Sequence, residues 1–286
     1  MSRESSSPAV LYVVATPIGN LQDMSPRAIE TLKSVDRVAA EDTRHTRRLF
    51  TRFGIDTPLI ALHEHNEREV CGQLLARLAA GECIALVSDA GTPLISDPGF
   101  VLVREARRAG VRVVPIPGPS ALVAALSVSG LPTDRFLFEG FLPSRLAARR
   151  QRLQTLRAVE VTLVCYESSH RIVESMADMA ECLGEARHAV VARELTKTFE
   201  TIVEGTLAEL CAWLQGDPEQ RRGEFVVLVQ GAVRDPDALD DATRRTLEIL
   251  LAELPLRQAA ALAAAITGAS KNRLYAYGLE LKQPPV

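Results

Sequence analysis

The strongest constraint on this chain is an alternation in its first 130 residues: a short apolar run, a polar loop rich in Gly and Pro, then a stretch with helical periodicity. The runs are Val10 to Ala15, Arg37 to Ala40, Pro58 to Leu62, Cys83 to Val87 and Val111 to Ile116. Strands that alternate with helices pair in parallel, because each helix carries the chain back to the edge from which it left. Every polar loop then lies at the carboxyl edge of one sheet, where strand ends and helix N-termini leave backbone groups for a ligand. The richest loop is Ser88-Asp89-Ala90-Gly91-Thr92-Pro93-Leu94-Ile95-Ser96-Asp97-Pro98-Gly99. Its small residues let backbone approach a ligand closely, and Asp89 and Asp97 can cap helices or accept hydrogen bonds. An ordinary turn explains one such loop alone; the convergence of several predicts a binding cleft.

The other loops carry their own signals. After Thr16 to Asp23, Ser25 and Pro26 supply an N-cap and an N1 proline for a helix over Arg27 to Ser34. Asp42 precedes another helix and reads either as its N-cap or as a cleft carboxylate. The loop His63-Glu64-His65-Asn66-Glu67 leads into a helix ending near Ala80, and Ser120 is placed to cap a helix over Ala121 to Val128.

Ser129 to Asp134 reads as a connection between two α/β domains, 9–129 and 130–233. The second contains apolar runs at Phe136 to Phe138, Val159 to Tyr166, His188 to Arg193, Thr198 to Glu204 and Phe225 to Val229. The corner Glu194-Leu195-Thr196-Lys197 is too short for a crossover, so this sheet is expected to be mixed. From 236 to 286 the composition is helical and rich in Ala. Ala264-x-x-x-Gly268, followed by Ser270, Leu274 and Tyr277, has helix-turn-helix spacing, with Ser270 as the second helix's cap. The fold class is therefore α/β, two domains and a small helical tail.

Several chemistries are excluded. There is no G-x-G-x-x-G, no G-x-x-x-x-G-K-[ST] and no G-x-S-x-G, which argues against Rossmann, P-loop and serine-hydrolase sites. His63 and His65 lack a further ligand at helical spacing, so no metal is expected. The five cysteines are scattered without C-x-x-C, as reduced thiols in a cytoplasmic protein would be. No apolar run reaches membrane-spanning length, and the polar, Ser-rich Met1 to Pro8 is unlike a signal peptide. A net charge of -3 supplies no global basic field, so any nucleic-acid contact must be local. What remains is a cleft built from backbone and carboxylates.

The loops together resemble the tetrapyrrole-methylase superfamily: Thr16-Pro17-Ile18-Gly19-Asn20-Leu21-Gln22-Asp23, Ala40-Glu41-Asp42-Thr43-Arg44, Ser88 to Gly99 and Pro117-Gly118-Pro119-Ser120-Ala121. With Tyr166 to Arg171, Arg193 to Lys197 and the tail from Leu254 to Tyr275, the pattern is similar to the RsmI type. That type comprises the cytidine 2′-O-methyltransferases of small-subunit (16S) ribosomal RNA, acting in the decoding region. The resemblance implies S-adenosylmethionine as methyl donor, two α/β domains with the donor in the cleft between them, a homodimer, and the 30S subunit as partner. It places the donor against Gly19, Asp89, Gly91, Ile95, Pro117, Gly118, Ser120, Ala121, Tyr166 and Glu167. Each of these also has a structural reading, as turn geometry or core. Ser88 stands where many tetrapyrrole methylases carry Gly.

A ribose hydroxyl is a weak acid, so a group that takes its proton is required. Asp42, Glu64 and Lys197 are the candidates, although Asp42 can be a cap and Lys197 can pair with Glu194. RNA contact is expected from Arg44, Arg47 and Arg48 on one helix, Arg145 and Arg149 after the connection, and Lys271 and Arg273 at the tail's second helix. Two alternatives stay open: a C-methyltransferase acting on a tetrapyrrole, and a ligand-sensing DNA-binding regulator.

Overall fold

The computed structural model describes residues 9–63, 65–233, 239 and 241–281. Glu64, Met1 to Pro8 and the extreme C-terminus lie outside the described residues, so the expectations for Glu64 and for the N-terminal stretch have no structural counterpart.

The first half runs β1 (Val10–Val14), α1 (Pro26–Ser34), β2 (Arg37–Ala40), α2 (Thr43–Phe53), β3 (Leu59–Ala61), α3 (Glu67–Ala79), β4 (Ile84–Val87), α4 (Phe100–Arg108), β5 (Arg112–Ile116) and α5 (Ala121–Val128). The five strands form a wholly parallel sheet in the order β3-β2-β4-β1-β5. Helices cover both faces: α1 and α2 pack through Leu32 and Phe50 on one, α3 and α4 through Leu74 and Leu102 on the other. All four residues of β4 are buried, as a central strand covered on both sides demands. Ser25 Oγ accepts the Ala28 N–H at 3.1 Å with Pro26 at N1, so α1 begins where its residues require.

The second half continues with β6 (Phe136–Phe141), α6 (Leu146–Leu156), β7 (Thr162–Ser168), α7 (Ile172–Leu183), β8 (His188–Arg193), β9 (Thr201–Thr206), α8 (Leu207–Gly216) and β10 (Glu224–Val229). Its sheet is mixed, in the order β6-β7-β10-β8-β9; β6 and β7 are parallel, and the other pairs are antiparallel. Helices α6, α7 and α8 cover one face. The other face receives α5, whose Ala125 and Leu126 pack with Val164, Val190, Ala192, Val226 and Leu228. Both sheets thus belong to one compact unit ending at Ala232.

The residues from Val233 form a second compact unit with α9 (Asp241–Glu253), α10 (Leu256–Thr267) and α11 (Lys271–Glu280). Gly268 ends α10 with φ 75°, a left-handed conformation that suits glycine, and Gly278 lets α11 approach Leu256 of α10. Ala259, Ala260, Ala263, Leu247 and Leu274 make its core. Two capping expectations are corrected here. Ser120 and Ser270 occupy N-cap positions, yet neither side chain makes a capping hydrogen bond.

Candidate active site

The carboxyl ends of β1, β4 and β5 are tied together by their own loops. Thr16 and Gly91 exchange backbone hydrogen bonds of 2.8 and 3.0 Å, and Thr92 Oγ1 donates to the Pro119 carbonyl at 3.0 Å. The end of β2 joins them, since Asp89 Oδ1 accepts the Asp42 N–H at 2.9 Å. The result is a rigid floor made mostly of backbone.

Opposite that floor stands the face of the second sheet. Between them lies a cleft of about 340 Å³, within the size range of small-ligand pockets, about 300–1,000 Å³. The floor contributes Ile18, Gly91, Thr92, Ile95, Asp97, Ser120 and Ala121. The facing wall contributes Phe141, Tyr166, Leu195, Phe225 and Val226, among others. The lining is chiefly apolar with a few polar groups, which matches a nucleoside donor that needs shape and backbone contacts.

Gly91, Ile95, Ser120, Ala121, Tyr166 and Glu167 line this cleft. Gly19, Asp89, Pro117 and Gly118 sit beside it and shape it. Gly19 is crossed by the Lys197 side chain, so a Cβ there would collide with Lys197 Cγ. Gly118 lets its turn pack on Ala15. One oxygen of the Asp89 carboxylate accepts the Asp42 amide, which ties the two loops together beside the cleft. Glu167 lines the cleft but is held by its own partners. Its side chain is buried and accepts from the Ser168 N–H (2.9 Å), Arg171 (3.2 Å) and the Ser175 hydroxyl (2.6 Å), so it organises the wall without offering a free carboxylate. Arg171 also donates to the Leu142 carbonyl at 2.6 Å, which holds the turn behind Phe141. The Phe141 ring meets Tyr166 edge-on, 5.8 Å between centroids.

Of the expected proton acceptors, Asp42 is the N-cap of α2. Its carboxylate accepts the Arg44 and His45 amides at 2.7 and 3.4 Å, and those bonds, the Arg44 amide first, hold it below the usual aspartate range. A group held ionised in this way is a weak base. Lys197 donates to Glu194 at 2.7 Å and to Glu224 at 2.8 Å. Burial pulls its pKa down, but the two carboxylates outweigh burial and keep the ammonium protonated above the ordinary lysine range. Neither has the properties of the base expected of it. The cleft also holds a residue that the sequence singled out only as a loop carboxylate: Asp97, which burial raises to about 6.

The basic groups divide sharply. Arg44, Arg47 and Arg48 are exposed on α2 and line a shallow groove with Thr43 and Thr51. Arg145 is exposed at the start of α6, and Lys271 and Arg273 are exposed at the start of α11. Arg149 is not available to RNA: it is 1% exposed and pairs with Asp178 at 2.6 Å. Its neighbours Arg150 and Arg152 pair with Asp178 and Glu139. The arginines of α6 are thus held in ion pairs, with Arg149 buried and Arg150 and Arg152 partly exposed.

Comparisons with known proteins agree with this architecture. Residues 10–211 match the family of Tetrapyrrole (Corrin/Porphyrin) Methylases, and residues 237–282 match the RsmI C-terminal HTH domain. The ribosomal RNA small subunit methyltransferase I of Pseudomonas aeruginosa is 59% identical over 276 residues, covering 96% of this chain and 98% of the relative. The protein of that name from Escherichia coli O157:H7 is 54% identical over 275 residues, covering 96% of each. Among solved structures, diphthine synthase superposes with a TM-score of 0.60 at 18% identity, over 79% of this chain and 91% of its own. Uroporphyrin-III C-methyl transferase from Thermus thermophilus, complexed with S-adenyl homocysteine, gives 0.51 at 23%, over 77% and 96%. The cleft between two α/β sheets, the matched core and the matched tail place this chain among the tetrapyrrole (corrin/porphyrin) methylases, in their ribosomal RNA small subunit methyltransferase I branch.

Proposed function

We propose that this protein transfers a methyl group from S-adenosylmethionine to the 2′-oxygen of a cytidine ribose in the decoding region of 16S ribosomal RNA. The carrying observation is the near full-length identity with small-subunit ribosomal RNA methyltransferases, combined with a chiefly apolar cleft at the sheet's carboxyl edge. The donor's sulfonium supplies an electrophilic methyl carbon when bound. The protein's contribution is to hold the acceptor oxygen in line with that carbon, and such positioning supplies much of the acceleration.

Gly91, Ile95, Ser120 and Ala121 support one side of the donor, and Tyr166 with Phe141 walls the other. Arg44, Arg47, Arg48 and Arg145 hold RNA phosphate, since guanidinium groups grip two oxygens at once. Lys271 and Arg273 do the same from the tail. The reading places the protein with the 30S subunit in the cytoplasm. It acts as a homodimer, a reading supported by exposed apolar residues such as Val123 and Phe199, 60% and 70% accessible in the single chain.

Labelled methyl transfer tests this reading directly. Label should pass to 30S subunits that lack the modification, and to neither duplex DNA nor a tetrapyrrole. Ribose mapping in strains with and without the gene then identifies the nucleotide. Transfer to a tetrapyrrole carbon would favour the C-methyltransferase alternative.

A further inference from the structure

The cleft wall carries several titratable groups, and most are already committed. Glu167 is held by Ser168, Arg171 and Ser175, Glu224 pairs with Lys197, and the Tyr166 hydroxyl accepts the Leu122 amide. Asp97 is different. Among the described residues no cation lies within ion-pair distance of it, and the Ser88 hydroxyl is the neighbour that favours its ionised form. The charged or titratable groups that face it are Glu41 at the end of β2, Asp89 at the end of β4 and Tyr166 on β7.

The backbone around it is fixed from several directions. Leu94 and Ser96 have φ of 75° and 67°, in the left-handed region that side chains other than glycine seldom occupy. Glu67 anchors the far end of the loop through the Gly99 and Val101 amides, at 3.1 and 2.8 Å. On the other side Ser96 Oγ presses on Gly140 of β6, only 3.0 Å from where a Cβ would stand. Strained backbone held by surrounding contacts is a mark of functional loops. This loop delivers one carboxyl group into the cleft.

We infer that Asp97 is the general base that takes the proton from the acceptor hydroxyl, an assignment that rests on the methyl-transfer reading above. The hydroxyl proton passes to the Asp97 carboxylate, and the oxygen keeps the O–H electron pair. That oxygen forms the new C–O bond as the C–S bond breaks, and the sulfur retains the pair from the broken bond. A cationic donor and an ionised carboxylate become a neutral thioether and a carboxylic acid, which returns its proton to water. Burial first, then Glu41 and Asp89, lift Asp97 against the opposing Ser88 hydroxyl to about 6. At neutral pH it is therefore ionised yet more basic than an ordinary aspartate, the compromise that favours a general base.

The test compares wild type, Asp97→Asn and Asp97→Glu for S-adenosylhomocysteine affinity by calorimetry and for single-turnover transfer to unmodified 30S subunits at saturating donor. For wild type, the rate should rise with pH and level off above about 6. Asp97→Asn should lose about 10²–10⁴-fold in rate and the acidic limb of the profile, the range expected for removing a base. Its S-adenosylhomocysteine affinity should stay within about threefold, well under the tenfold that marks about 1.4 kcal/mol, which also reports an intact cleft. Asp97→Glu should recover part of the rate. An Asp97→Asn enzyme with an unchanged rate and an intact acidic limb would overturn the assignment. So would a loss of S-adenosylhomocysteine affinity as large as the loss of rate, because Asp97 would then be holding the donor. Failure of wild type itself on these subunits would instead overturn the methyl-transfer reading, and the assignment with it.

Discussion

The Tyr166 hydroxyl accepts the backbone N–H of Leu122 at 3.1 Å, so a side chain from the second sheet caps a helix of the first. The Ser120 side chain occupies the N-cap position without making that bond. Burial raises the Tyr166 phenol above the ordinary tyrosine range, and the Leu122 bond opposes that shift. Tyr166→Phe should remove the cap and cost about 1 kcal/mol, the usual worth of an N-cap. It should also loosen the joint at the cleft, so donor affinity falls several-fold by calorimetry while the far-ultraviolet circular dichroism spectrum is retained.

Glu67 is a second organiser, buried beneath the central loop. One carboxylate oxygen collects the amides of Gly99, Val101 and Leu102 at the start of α4. Glu67→Ala strands those donors and should lower stability in denaturant by about 2–3 kcal/mol, the cost of losing hydrogen bonds to a buried charged group. Glu67→Gln keeps an acceptor and should cost roughly half as much.

The arginines separate by environment. Arg149→Ala leaves Asp178 buried without its inner partner and should destabilise the fold by about 3–5 kcal/mol. Affinity of the surviving folded molecules for 30S subunits should not change. Arg47→Ala with Arg48→Ala should leave the melting temperature within about 1 °C, because surface changes cost little. Subunit binding should weaken, and the slope of log affinity against log salt should become shallower by about 1–2. An unchanged salt slope would remove α2 from the RNA interface.

Asp97 also makes a statement about stability. Its folded pKa is raised from 3.8 to about 6, so the fold prefers the uncharged acid. That contribution is complete below about pH 3.8 and is lost as pH rises through about 6. Asp97→Asn mimics the acid at every pH. Allowing for partial solvent exposure, it should melt with wild type at pH 4 and about 2–4 °C above it at pH 8, read by scanning calorimetry.

Much of this architecture is legible in the residues. Ser25-Pro26 mark the start of α1, and the runs at Arg37 to Ala40 and His188 to Arg193 coincide with β2 and β8 because buried strands read as unbroken apolar sequence. The short corner after Arg193 announces an antiparallel neighbour, and β9 is one. The bounds shift where an apolar residue packs on the core from outside the ladder, as at Val159 to Tyr166, where the strand begins at Thr162 and Val159 packs from the connection before it. The cleft is legible in outline, since its floor is turn-forming sequence. Its other wall is not: Phe141, Leu195, Phe225 and Val226 are ordinary apolar strand and turn residues until the sheets face each other. Charge misleads most. Arg145, Arg149, Arg150 and Arg152 look alike in sequence, and only the positions of Asp178 and Glu139 in space decide which of them are held in ion pairs.

The position of β10 has a consequence for how the protein is born. This strand is the last of its sheet to leave the ribosome, yet it lies in the middle, between β7 and β8. A nascent chain that has reached only Arg222 has two separated strand pairs with a gap between them, and Phe225 and Val226 have not yet emerged. The first sheet can settle early, but methyl-donor capture has to wait until synthesis has nearly passed the body of the enzyme. Truncations within this final strand should therefore abolish capture outright rather than reduce it by degrees.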